Sequence, residues 1–274
     1  LLGSFNFREF MMYREWELSE GAVGNQHQSR EDLLQEYLIW GGFPLVCAQH
    51  EDESRRVVLD NLYSSIVLRD IIQRNHIASP IALENVLDFL IGNSSATVSG
   101  NNIAKALSDS ARSVSAPTVY DLLRAIEESY VVNRIERYDI RGKKKLAFET
   151  KEYVCDLGFF HMRKNRVKDE WSCVVETVVL NELLSRGMRV YIGKTHRGEI
   201  DFIAESDGGR CYIQVAYLMS DKYTIEREFG AYDYVNDNYP KYVVSMDPIA
   251  LSRSGIVHLR LVDFLSDESL LRFG

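Results

Sequence analysis

Apolar residues change their period along the chain. Behind Ser29 they recur at helical spacing as Leu33, Leu34, Tyr37, Leu38 and Trp40, and Ser29 with Asp32 three residues on has the form of a capping box. Gly41-Gly42-Phe43-Pro44 stops that helix. A second helical run, from about Ser54 to Asn75, repeats Val57, Val58, Leu62, Ile66, Ile71 and Ile72. An aromatic-rich segment starts at Phe5, and the polar stretch Glu17 to Gln28, with Gly21 and Gly24, reads as a loop. Residues 1–75 are thus predicted to be mostly helical. Ser79-Pro80 then opens a short amphipathic helix over Ile81 to Ile91, Asn102 to Leu107 makes a second, and Ser115-Ala116-Pro117-Thr118 starts a third that runs to Ser129. The period next shifts toward two. Strands are predicted at Val131 to Tyr138 and Leu146 to Val154, joined by the polar tip Asp139 to Lys145. Beyond them lie an apolar helix through Val174 to Leu184, strands at Met188 to Ile192, Gly198 to Ala204 and Cys211 to Tyr217, and a helix at Glu226 to Tyr234. Strands at Tyr242 to Met246 and Val257 to Leu261 and a closing helix from Leu261 complete the pattern.

Composition narrows the partners. A chain of 274 residues is long enough for about two domains at roughly 100–200 residues each. Its formal charge of −8 gives no global attraction to nucleic acid, so contact of that kind needs a local basic patch. No apolar run approaches the ~20 residues that span a bilayer, and Leu1-Leu2-Gly3-Ser4 lacks the basic start of a secretory leader. Cys47, Cys155, Cys173 and Cys211 form no close pair and sit in apolar settings, which suits free thiols in a reducing cytoplasm rather than a zinc site. The expected location is cytoplasmic, with no membrane partner. Met11-Met12 come late and no methionine precedes them, so the chain is expected to be a fragment of a longer one.

Three helices followed by a hairpin is the order of a winged helix. Arg112, Thr118 and Arg124 lie before or on its third helix, and Arg141, Lys143, Lys144 and Lys145 crowd the hairpin tip. Such a domain meets DNA with a helix in the major groove and a basic wing on phosphates. Glu127 and Glu128 on the same helix argue for the plainer reading, a solvated turn on a packing module.

The stretch Val174 to Tyr217 places Glu176 in a helix, Asp201 on a strand and Gln214-Val215-Ala216 on the next strand. This layout resembles the PD-(D/E)xK nuclease core. In a working site of that type, the aspartate and an acid on the second strand hold a divalent cation. A lysine two residues on, on the same face by alternation, activates water. Here the acid is Gln214 and the lysine is Ala216, so the resemblance implies a retired nuclease. Glu199, two residues before Asp201, could share its face. This leaves a metal-dependent nuclease using Glu176, Glu199 and Asp201 as the alternative. Gly193-Lys194-Thr195 looks like a phosphate loop, but the glycine required five positions earlier is Met188 and a strand follows, so it reads as a β-turn.

A wider resemblance orders these pieces. Tyr37-Leu38-Ile39-Trp40-Gly41-Gly42-Phe43-Pro44 comes first, then Tyr63 with Arg69-Asp70-Ile71, then the winged-helix pattern. Tyr153-Val154-Cys155-Asp156-Leu157-Gly158, Gly198-Glu199-Ile200-Asp201-Phe202 and Tyr212-Ile213-Gln214-Val215-Ala216-Tyr217 follow. Over nearly the whole chain this resembles the C-terminal portion of prokaryotic AAA+-type ATPases whose tail is a domain of unknown function. The implied fold is α+β and multidomain: a helical, ATPase-lid-like segment at 1–78, a winged helix at 79–154, and a restriction-endonuclease-like α/β domain at 155–274. The ATPase module, with its ATP and Mg, is expected upstream in the same polypeptide; this chain itself holds no cofactor, and an oligomer is compatible with the family. Arg69 is expected either in an ion pair with Asp70 or as a sensor of nucleotide in the adjoining module. The expected role is recognition or assembly, with no catalysis by this chain alone; a winged-helix DNA-binding protein is a second alternative.

Overall fold

The computed structural model describes residues 3–20, 28–108, 114–163 and 171–273. The fold is mixed α+β. In chain order the strands are β1 (Thr97–Val98), β2 (Val132–Asp139), β3 (Lys144–Val154), β4 (Arg189–Lys194), β5 (Glu199–Ser206), β6 (Gly209–Ala216), β7 (Lys241–Ser245) and β8 (Val257–Arg260). The chain divides into two units that interleave along the sequence. One comprises Leu1–Ser4, Ile39–Ile135 and Ala147–Val167; the other comprises Phe5–Leu38, Glu136–Leu146 and Lys168–Gly274. The boundaries expected near residues 78 and 154 both fall inside the first unit.

In the first unit, the helices Pro80–Gly92, Gly100–Ser108 and Ala116–Glu127 precede β2 and β3. Ser79 and Ser115 cap two of them by accepting from Ala82 N and Thr118 N, with proline in the first turn of each. Leu83, Val86, Leu87, Leu90, Ile103, Val119 and Ile126 are buried as their shared core. The two-residue strand β1, too short for a periodicity to reveal, pairs antiparallel with β3 (Thr97 with Lys151, Val98 with Thr150). The single helix expected from Ser54 to Asn75 is instead Asp52–Leu62, a π-helical stretch Tyr63–Leu68, and Arg69–Asn75. The wider π turn shifts the helical register, and within it Tyr63 is buried with its hydroxyl 3.2 Å from Asp88 Oδ1.

The centre of this unit is a buried carboxylate. Asp156, 2% exposed, accepts from Gly42 N (2.8 Å) and Gly158 N (2.7 Å) and from the hydroxyl of Ser4. The two glycine patches seen in the sequence are therefore halves of one cage. Gly41 has φ +73°, and a Cβ there would stand 1.8 Å from Asp156 Oδ1. A Cβ on Gly158 would stand 2.7 Å from the Trp40 carbonyl oxygen and 2.8 Å from Leu59 Cδ2. Burial pushes the Asp156 carboxyl above its ordinary range, while the donors from Ser4, Gly42, Gly158 and Phe43 pull it back part of the way.

In the second unit, β4, β5 and β6 form an antiparallel meander, β7 lies parallel to β6, and β8 lies parallel to β7. The crossover from β6 to β7 carries the helix Lys222–Gly230 and a 3₁₀ turn Ala231–Tyr234. On the other side, Arg137, Tyr138 and Asp139 of β2 pair parallel with Ile192, Gly193 and Lys194 of β4. The helix Trp171–Ser185 packs on the sheet and buries Val174, Val175, Val178, Val179, Leu180 and Leu183. The β-branched valines among these are weak helix formers, so burial rather than propensity holds that helix. The helix Phe7–Ser19 runs three residues into the stretch expected to be a loop. Glu17 is buried there because the Arg14 guanidinium, itself buried, binds it and Glu36. Residues 21–27 of that expected loop lie outside the described residues.

At the far edge, Ser245, Asp247 and His258 form a buried relay. The Ser245 hydroxyl donates to Asp247 Oδ2 (2.7 Å) and lies 2.8 Å from His258 Nε2, while Leu251 N donates to His258 Nδ1 (3.1 Å). An imidazole that accepts at Nδ1 carries its proton at Nε2, so it donates to Ser245 and is neutral. Ser245 is fully buried and gives its proton to the carboxylate, so the trio staples a loop and is no nucleophile.

Two stability measurements check these assignments. Asp156→Asn turns an amide N–H toward existing donors and should cost about 1–3 kcal/mol in chemical denaturation, the scale of an unsatisfied buried donor. Gly41→Ala should cost more, and an unchanged midpoint for either contradicts the cage. Burial lowers the His258 pKa. The unfolded state, with a histidine near 6.5, therefore binds the extra proton first. Stability should be full above about pH 6.5 and fall as pH drops, by at most about 1.4 kcal/mol per unit. His258→Gln should flatten that limb.

Candidate functional site

The meander brings the nuclease-like positions to one cleft of about 710 Å³ in the second unit. Glu199, Asp201, Gln214 and Ala216 all line it, with Arg197 and Arg227 at its walls. Alternation along β5 puts Glu199 and Asp201 on the same side, both partly buried, between the fully buried Ile200 and Phe202. Glu176, on the helix Trp171–Ser185, is partly buried and is not among the residues that line the cleft.

Polar groups in the cleft are engaged with one another. Val215 N donates to Asp201 Oδ2 (2.8 Å), and Asp201 N donates to Gln214 Oε1 (3.3 Å). Gln214 Nε2 donates to Glu228 Oε2 (3.0 Å), and the other oxygen of Glu228 takes the Arg227 guanidinium. Glu199 Oε2 sits 2.9 Å from Arg137 NH2. The carboxamide thus does what a second carboxylate could not: it donates to one acid while accepting from the backbone of the strand that carries the other. A hard divalent cation needs several oxygen anions free to face it. Here Glu199 is held by an arginine, position 214 offers a neutral amide already spent on both ends, and Ala216 offers no side-chain donor. Among the described residues no three acidic, histidine or cysteine side chains converge where they could hold a metal ion. The residues present do not fit the magnesium of a working nuclease.

Thr195 closes an ordinary turn directly after Lys194, the end of β4. The register slips between Tyr191 and Gly193, and Thr195 N and its hydroxyl both bind the Gly198 carbonyl at 3.0 Å. The turn is thus Thr195–Gly198, and Gly193 and Lys194, expected in it, are the end of β4.

The basic candidates separate. Arg141, Lys143, Lys144 and Lys145 are exposed at the hairpin tip, in the second unit. Lys145 turns back onto the sheet, with Nζ 4.7 Å from the centre of the Tyr191 ring and 3.8 Å from Glu136. Tyr191 and, to a smaller degree, Glu136 hold its pKa above the usual lysine value. Arg141, Lys143 and Lys144 make no ion pair among the described residues, and Lys143 adopts φ +50° at the tip. On the helix Ala116–Glu127, in the first unit, Arg124 is exposed, while Thr118 is spent on capping, its hydroxyl 2.8 Å from Ser115 Oγ. Arg112 lies outside the described residues. Arg69 and Asp70 are both exposed, and no ion pair joins them among the described residues, so the expected structural pair is not formed. Sequence spacing missed Arg137 and Glu228, which decide the charge of the cleft. The parallel pairing of β2 with β4 and the crossover helix deliver them, and neither is visible as a local pattern.

Among the described residues no helix is long and apolar enough to cross a membrane. Residues 31–169 match a family described as a domain of unknown function (DUF8612). An uncharacterized protein of Haemophilus influenzae is 28% identical over 240 residues, covering 88% of this chain and 57% of its own length. The uncharacterized protein MJ1544 of Methanocaldococcus jannaschii is 23% identical over 232 residues, covering 83% of this chain and 51% of its own. The chain therefore spans about half the length of the curated relatives it matches. No solved structure matches. With half of its residues inside the matched region, the chain belongs to the family described as a domain of unknown function (DUF8612).

Proposed function

We propose that this chain is the recognition or assembly part of a prokaryotic AAA+-like ATPase and has no catalysis of its own. It would combine a lid-like helical segment, a winged helix and a PD-(D/E)xK nuclease-like domain that has lost its metal chemistry. The observation that carries the last point is the hydrogen-bonded run Asp201–Gln214–Glu228, which occupies the place of a metal site with a closed polar network. Helix, β-meander, crossover helix and parallel strand in that order support the nuclease-like reading, as fold-level analogy. Three helices, a short strand against β3 and a hairpin support the winged helix in the same way. The curated relatives extend well past the region shared with this chain, which leaves room for a nucleotide module in the parent protein. Arg69, exposed and without an ion pair among the described residues, is the residue assigned to sensing that module's nucleotide.

Two outcomes test the reading. Incubated with plasmid DNA and Mg²⁺ or Mn²⁺, the purified chain should give no more nicking than its Asp201→Ala variant; cleavage lost in that variant would restore the nuclease. The parent reading frame should hydrolyse ATP where this chain does not, and Arg69→Ala should slow the parent by about 10²-fold, the scale of one charge-stabilising donor. A parent without a phosphate loop, or an Arg69→Ala variant as fast as wild type, contradicts the corresponding assignment.

A further inference from the structure

Strand pairing in the second unit places side by side two basic segments that are far apart in sequence. Asp139, the last residue of β2, pairs with Lys194, the last of β4, and Ile140 N donates to the Lys194 carbonyl (3.1 Å). The hairpin tip with Arg141, Lys143 and Lys144 therefore rises beside Lys194 and the turn that carries His196 and Arg197. All six are exposed, and the lysines and arginines among them make no ion pair among the described residues. The acids beside them have other duties. Asp139 Oδ1 accepts from Gly142 N (2.9 Å), and Glu199 is bound by Arg137. Arg197 lines the mouth of the cleft, lies over the Tyr234 ring at 5.6 Å, and has its guanidinium 3.4 Å from the Tyr234 hydroxyl. His196 meets the edge of the same ring at 4.7 Å.

We infer that the hairpin tip and the β4–β5 turn form one phosphate-binding track for nucleic acid, running from Arg141 and Lys144 through Lys194 to Arg197 at the cleft mouth. The inference rests on reading this chain as a recognition module and names the class of ligand recognised. The basic side chains Arg141, Lys143, Lys144, Lys194 and Arg197, gathered in one patch on a chain of charge −8, answer the requirement that any polyanion binding be local. A raised tip and a turn flanking a cleft suit a rod-like polyanion, whereas a membrane surface would call for a flatter basic face. Inside the cleft Glu228 is already taken by Arg227 and Gln214, which leaves Arg197 as the exposed cation of the lining on the side of the track. The track thus explains how a fold with no usable metal site would hold a strand without cutting it.

Anisotropy of a labelled duplex of about two helical turns, titrated with the intact chain over a salt series, tests the track. Lys194→Ala with Arg197→Ala should weaken binding roughly tenfold at low salt and lower the salt slope by about 2, one for each phosphate no longer neutralised. Arg141→Ala with Lys144→Ala should do the same, for all sequences alike. Arg189→Ala, at the opposite end of β4, should change nothing. The track is overturned if the Lys194/Arg197 variant binds like wild type, if no binding appears at low salt, or if phosphatidylserine vesicles bind more tightly than DNA through the same residues. Binding without cleavage leaves the non-catalytic reading intact. Metal-dependent cleavage with the track present would sink that reading alone, and absence of binding would sink the track alone.

Discussion

An ionisable group that is 2% exposed must be matched by donors or it destabilises the fold, and Asp156 is matched from three separate stretches of chain. Gly42 and Gly158 bring their amides close because Gly158 leaves no side chain in the way and Gly41 turns the backbone at a positive φ. The cage fixes the end of the helix Arg30–Trp40 against the start of the helix Leu157–Arg163. It gives a physical reason for two glycine-bearing patches, far apart in the chain, to occur in one sequence. Both patches lie inside the region that matches the family, residues 31–169. In this chain the two patches thus wire a buried carboxylate, which is a structural duty.

A comparable exchange governs the cleft of the second unit. Two acids on β5 would attract a cation if left to themselves. Arg137 from β2 takes one of them, and the Gln214 amide ties the backbone at the other to Glu228. Each partner comes from a different element, so the pairing of the cleft's polar groups follows from sheet order and no single motif encodes it. The same sheet order puts the β2–β3 tip beside the β4–β5 turn. One pairing therefore both brings Arg137 to Glu199 and sets two basic segments side by side.

Much of the element order is legible in the sequence, because amphipathic helices with serine caps and alternating strands write their periods locally. The capping box at Ser29 and Asp32 forms with reciprocal bonds of 3.1 Å, and a turn does join β4 to β5, although Gly193 and Lys194 belong to β4 and only Thr195 of the expected triplet is in it. Elements without a period are illegible: β1 has two residues, and the π-helical stretch keeps an apolar pattern while shifting its register. The extension of the first helix to Ser19 is hidden because it depends on Arg14 drawing Glu17 inward while also binding Glu36, a tertiary ion pair. At the site, Asp201, Gln214 and Ala216 can be placed from spacing. Their partners Arg137 and Glu228, the inward turn of Lys145 and the interleaving of the two units cannot, since each depends on long-range pairing.

With the Gln214 amide tied to Glu228 and to the Asp201 backbone, and Glu199 bound by Arg137, the cleft should not hold a divalent cation. Electron paramagnetic resonance of Mn²⁺ titrated into the purified chain reads this directly, because bound Mn²⁺ leaves the sharp signal of the free ion. Millimolar Mn²⁺ should keep its full free signal in wild type and in Asp201→Ala alike. A loss of one equivalent of signal in wild type, restored by Asp201→Ala, would contradict it.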